Sequence, residues 1–445
     1  MGYRPSRWTL AAFAFAVVAG FIAWLILGRT ERAMRLADGR EFSIVAVTYG
    51  TNHVFKGGPP WARLMARSGL RSIAVRFGYS LSGNLPSSTP CLVVWTRWSL
   101  SNSNPPPRFA SVAAARGVET EPIQVALAPV SVGKKDGMLM AWRFENYPRL
   151  QKEFTLRVYD YDFFRVRGRR EGEVAVRNPV AIVKPPAPAP IAPVKATNGV
   201  LECTLRGLQC GGPPAKRPLT AKSAIAPWAT AEFEFRENGQ PTTDWTVKRI
   251  EAFGATSNYF FGDRLVVELE EGRRVARFTG AFWQDELDWK LVAEVVPIRN
   301  FPAESLWSLR VPTRAFLHET FVTNLQAEAK GMRNFQLTIW PKSGDAVRQG
   351  KPGLRVATLR INYTPDAPDL HADVASAIDD QGRELLIPSS IMPRTGSCEA
   401  DLQLMASAEF VDLTFAILRS RKLEFRVRPV LVSTNAPSTF PAPGR

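Results

Sequence analysis

The amino-acid sequence predicts a mainly β protein, with a single N-terminal transmembrane helix followed by antiparallel β-sandwich domains. Three observations predict it. Residues 8–27, WTLAAFAFAVVAGFIAWLIL, are uncharged, and Thr9 is their one polar side chain. The rest of the chain breaks into short runs rich in Val, Ile, Phe, Tyr, Trp and Thr, separated by Gly, Pro, Asn and Ser. No long amphipathic helical pattern interrupts those runs, which is the arithmetic of a β-sandwich.

The twenty residues Trp8–Leu27 would span about 30 Å as a helix, the thickness of a bilayer core. A cleavable signal peptide has a shorter apolar core and small residues at its end. Here the stretch ends in Leu25-Ile26-Leu27-Gly28-Arg29, with Trp8 and Trp24 near its two ends. An uncleaved signal-anchor over 1–28 is therefore expected, making the protein single-pass in the cell membrane. Arg29, Arg32, Arg35 and Arg40 lean towards a body kept inside, whereas a short anchor ahead of a long domain more often exports it. The expectation is an extracytoplasmic body.

The body follows in order. A first sandwich is expected over 41–182, from β-rich runs at 42–50, 73–81, 91–100, 123–132, 138–147, 153–164 and 172–180, with a short helix at 59–70. A Pro/Ala-rich linker, 183–198, reads as a semi-rigid spacer; docking into a Pro-recognising groove is the other reading of such a composition. A second sandwich is expected over 199–430, or two packed ones split near 308–316. In 229–240, Ala231, Phe233 and Phe235 alternate with Glu232, Glu234 and Arg236, a period of two with one face buried. Glu270-Glu271-Gly272-Arg273-Arg274 reads as a hairpin turn. Residues 431–445 have the composition of a disordered tail. The runs Glu173–Pro179 and Glu424–Pro429 echo each other, each a β pattern halted by Pro.

Charge and chemistry bound the function. Lys and Arg number 57 against 41 Asp and Glu, a net +16, but the basic residues are mostly Arg and dispersed. That pattern supports weak contact with anionic lipid and no nucleic-acid binding. Cys203 and Cys210 could close a disulfide across a turn at Arg206-Gly207 in an exported body; in a reducing compartment all four cysteines would be buried thiols. Neither spacing fits a zinc pattern, so no metal or other cofactor is expected. The histidines His53, His318 and His371 are far apart in sequence, and no HExxH, GxSxG or phosphate-loop motif occurs. Asp160 and Asp162 are too few ligands for calcium and precede RVRGRR. The densest acid-aromatic cluster is Trp283, Asp285, Glu286, Asp288 and Trp289, the residue types a sugar-binding or glycosidase site would need, and equally those of ordinary strand ends with Trp in the core.

Three segments, VTYGTNHVFKGGPPW at 47–61, VYDYD with GEVAVRNP within 158–179, and TFAILRSRKLEFRVRP at 414–429, resemble uncharacterised envelope proteins of planctomycete and verrucomicrobial bacteria. The resemblance is in strand-and-turn patterning. It implies an inner-membrane anchor with β-sandwich domains outside, and it implies no activity. The expected function is thus a membrane-tethered, non-enzymatic interaction or structural module at the bacterial cell envelope, with a protein or glycan partner. The alternative is a carbohydrate-binding or carbohydrate-active protein using the Trp283–Trp289 cluster.

Overall fold

Alternation becomes strand in the computed structural model of the chain: Ala231, Phe233 and Phe235 are buried, while Glu232, Glu234 and Arg236 lie on the wetter face. The structure describes residues 32–36, 41–56, 68–69, 82–99, 109–113, 119–120, 124–132, 135–159, 170–180, 186–212, 228–312, 321–325, 331–341, 354–386, 392–394, 396–405 and 408–431. The apolar stretch 8–27, most of the helix expected at 59–70, Asp160, Asp162, His318 and the tail from 432 lie outside the described residues. Among the described residues no helix is long and apolar enough to cross a membrane. The fold is mainly β, in antiparallel sheets that pack in pairs.

The first pair uses β1 (Arg32–Arg35), β2 (Glu41–Lys56), β3 (Ser82–Ser99), β4 (Phe109–Ala113), β5 (Glu119–Thr120), β6 (Gln124–Val132), β7 (Lys135–Phe144), β8 (Glu153–Tyr159) and β9 (Arg170–Arg177). The order β1-β2-β3-β7-β6 faces β5-β4-β8-β9. Phe42, Leu92, Val94, Trp142 and Phe144 of one sheet meet Phe154, Leu156, Val158 and Val176 of the other. Trp98 and Trp142 are buried with their indole N–H groups satisfied, both donating to Thr96 Oγ1 at 3.0 and 2.9 Å. The opposite face of β3 carries a second, smaller cluster around Phe55, Leu85, Cys91 and Trp95.

The second pair begins with β10 (Val194–Asn198), β11 (Leu201–Gly212), β12 (Trp228–Glu237), β13 (Gln240–Thr242), β14 (Trp245–Gly254), β15 (Tyr259–Phe261), β16 (Asp263–Glu270), β17 (Arg273–Thr279) and β18 (Trp289–Pro297). The third contains β19 (Leu306–Pro312), β20 (Phe321–Leu325), β21 (Met332–Pro341), β22 (Leu354–Pro365), β23 (Leu370–Asp379), β24 (Met392–Arg394), β25 (Ser397–Met405) and β26 (Phe410–Arg419). The chain then returns: β27 (Arg421–Val427) pairs with β18, and β28 (Val430–Leu431) pairs with β11. The second body is therefore β10-β11-β12-β17-β16 against β15-β14-β18-β27, and the third is β19-β26-β23 against β20-β21-β22-β25-β24. Each has its own core, one from Leu201 to Val427 and one from Val311 to Phe415.

The third body is thus an insertion between two neighbouring strands of the second. The expected seam at 308–316 begins within β19, a strand of the third body. The hairpin turn expected at 270–274 joins β16 to β17, with Glu271 and Gly272 both at positive φ, 50° and 78°. β9 and β27, the two echoing runs, are both edge strands, where a following Pro costs no ladder bond.

Two expectations are corrected. The disulfide is not formed: all four cysteines are free and buried, and Cys203 and Cys210 lie along the same strand, β11. At ~3.3 Å per residue they are roughly 20 Å apart, beyond the ~7 Å between Cα atoms that a disulfide tolerates. The turn expected at Arg206-Gly207 is instead a bulge between Leu205 and Gly207. Burial raises the thiols of Cys203, Cys210 (to about 12) and Cys398, leaving them inert. Nor is the end of the Pro/Ala-rich segment a free spacer. Ala189 N–H donates to Leu287 O, Arg428 N–H donates to Pro190 O, and 194–198 form β10.

Candidate functional site

The segment joining β17 to β18 contains the acid-aromatic cluster, and the structure brings its five residues to one place. Trp283 and Trp289 turn their rings inward, at 1% and 0% exposure, where Phe282 packs edge-on against Trp289 at 5.0 Å. The Trp289 indole N–H donates to Glu286 O at 2.8 Å. Glu286 is 2% exposed and its carboxylate is fully engaged. Oε1 accepts from Thr256 N and Thr256 Oγ1 at 2.7 and 2.5 Å, and Oε2 accepts from Asn258 Nδ2 at 2.6 Å. Burial raises the Glu286 pKa, against the opposing pull of those hydrogen bonds. Asp288 makes a two-point ion pair with Arg426 at 2.7 and 2.6 Å. Asp285, which is exposed, accepts from Gln151 Nε2 at 2.7 Å.

Gln151 belongs to the first sandwich, and further contacts from the same loop reach the second body. The loop between β7 and β8 enters a socket on the second body. Asn146 accepts from the Trp283 indole N–H and donates to Ala281 O at 3.2 Å. Asn258, 1% exposed, accepts from Tyr147 N and Arg149 Nε, both at 3.1 Å. The Arg149 guanidinium lies 4.7 Å from the Tyr147 ring and donates to the Tyr49 hydroxyl at 2.8 Å. Asn178 Nδ2 stiffens the loop from below, reaching the carbonyls of Pro148, Arg149 and Gln151. Both indole faces are therefore inside the protein, and no stacking platform for a sugar remains on them. What the arrangement does is dock one sandwich on another. Sequence reasoning did not find Asn146, Arg149, Asn178 or Asn258, whose partners lie far away in sequence.

A second joint links the second and third bodies. His371 Nε2, on β23, lies 2.5 Å from Glu294 Oε1 on β18 and 3.2 Å from Ser420 Oγ. This is not a catalytic triad, because hydroxyl and carboxylate share one ring nitrogen while Nδ1 has no partner. Burial would raise the Glu294 pKa, but bonds to His371 and Ser420 and the charges of His371 and Lys248 hold it down at about 2. A carboxylate depressed on folding stabilises the fold above its ordinary value of 4.5 and loses that contribution as pH falls towards 2. Acid titration followed by tryptophan fluorescence should show this loss in the wild type, flattened in Glu294→Gln; identical acid profiles would refute the assignment.

The remaining described histidine, His53, is neither exposed nor in a turn. It sits on β2, with Nδ1 2.9 Å from Thr48 Oγ1 and Nε2 3.2 Å from Cys91 Sγ. Burial lowers its pKa, so the neutral ring serves as a hydrogen-bonding core residue. Among the described residues, no group of three or more His, Cys, Asp or Glu side chains gathers to hold a metal ion. In comparisons with known proteins, no family model matches the chain, and no curated protein matches it.

Proposed function

We propose that the protein is a non-enzymatic interaction or structural module of the bacterial cell envelope, tethered to the membrane by Trp8–Leu27 with its sandwiches outside. The observation that carries this reading is the use of the acid-aromatic cluster. Trp283 and Asn258 hold the first sandwich to the second, and the Glu286 carboxylate fixes Asn258 in place. Buried polar groups spent on joints make a spacer or scaffold of fixed geometry, and leave outward sheet faces and edge strands for a protein or glycan partner.

The test is topological. A reporter active only outside the cytoplasm, fused after Arg445, should be active in a bacterial host, with the protein in the membrane fraction and resistant to carbonate extraction. Activity of the matching cytoplasmic reporter, or recovery in the soluble fraction, would overturn the reading.

A further inference from the structure

We propose that His371 and Glu294 form a proton-dependent latch holding the inserted third sandwich against the second. The topology supplies the hinge. The third body leaves β18 through residues 298–305 and returns through a single residue, Ser420, between β26 and β27. The latch lies beside that return: His371 and Ser420 are 5% and 8% exposed, and Glu294 is 8% exposed on the facing sheet. The Ser420 hydroxyl, 3.2 Å from His371 Nε2, ties the hinge residue to the imidazole itself.

The surroundings make the proton count. Lys248 from β14 approaches Glu294, and Asp373 from β23, Tyr363 from β22 and Cys398 from β25 complete the island. The cross-strand neighbours of Glu294 are Arg249 and Lys422. Arg249 is bound to Glu251, and Lys422 is exposed. Lys248 Nζ and His371 Nδ1 are buried with no hydrogen-bond partner among the described residues. Two carboxylates thus face one ammonium, and the island balances only when the imidazole is protonated. Histidine is the side chain whose ordinary titration falls between pH 5 and 8. When the proton leaves, an uncompensated negative charge stays in the joint, and separating the bodies to let in water relieves it.

The test uses the full chain in detergent, with fluorophores on Leu269→Cys and Ile378→Cys, two exposed positions on the second and third bodies; the native thiols are buried. Transfer efficiency should fall as pH rises from 5.5 to 9.5, and His371→Gln and Glu294→Gln should each abolish the change. His53→Gln and His318→Gln should leave it intact. A wild-type efficiency that stays flat while the protein remains folded overturns the latch, and so does an unchanged transition in His371→Gln. Because the wild type alone decides the first point, a variant that fails to fold does not remove the test.

Discussion

Asn258→Ala is expected to lower stability by about 4 kcal/mol, with three buried groups each losing a partner at ~1–3 kcal/mol apiece. Its Oδ1 accepts from Tyr147 N and Arg149 Nε of the first sandwich, while its Nδ2 donates to Glu286 Oε2. Alanine strands all three, in a site where Asn258 is 1% exposed. The loss should show as earlier unfolding in denaturant and as faster protease cleavage ahead of Ala189, since the first body is released while the others stay folded. Asn258→Asp tests the same point more finely. It keeps both acceptor contacts but sets a second carboxylate against Glu286, so it should be no better than alanine. A measured loss below about 1 kcal/mol for Asn258→Ala would show that water replaces the bonds.

Gly254→Ala should cost about 3 kcal/mol through overpacking. A Cβ at 254 would stand 2.2 Å from Glu286 Oε1 and 2.5 Å from its Cδ. The carboxylate cannot swing aside, because Thr256 and Asn258 hold both oxygens. The cost is one of contact, so it depends on Glu286 being there. In a double-mutant cycle, Gly254→Ala should therefore be much milder on a Glu286→Ala background. Equal penalties on both backgrounds would place the cost in the backbone instead.

What the sequence made legible was local. The alternation around Phe233 and Phe235 located β12 and its buried face, and Glu271-Gly272 located a turn, because each signal lies within a few residues. The joints depend on partners far apart in sequence. Asn258 reads as one more turn residue in ATSNYF until Tyr147 and Arg149 are brought to it. The Trp283–Trp289 cluster is the densest acid-aromatic run of the chain, yet composition cannot say whether an indole faces solvent or core. The Cys203–Cys210 expectation failed for a related reason: Arg206-Gly207 can make a turn or a bulge, and pairing of β11 with β12 on both sides of it selects the bulge. The insertion of the third body was invisible because β18 and β27 are separated by a whole sandwich.

That insertion sets an order of assembly. A growing chain that has emerged as far as Arg419 carries every strand of the third body, but the second still lacks β27 and with it Leu423, Phe425 and Val427. The middle body is therefore the last to close, and until it does the sheet edge at β18 is open. The segment after Ser420 is a closing strap, and its loss would undo the centre of the molecule before either end.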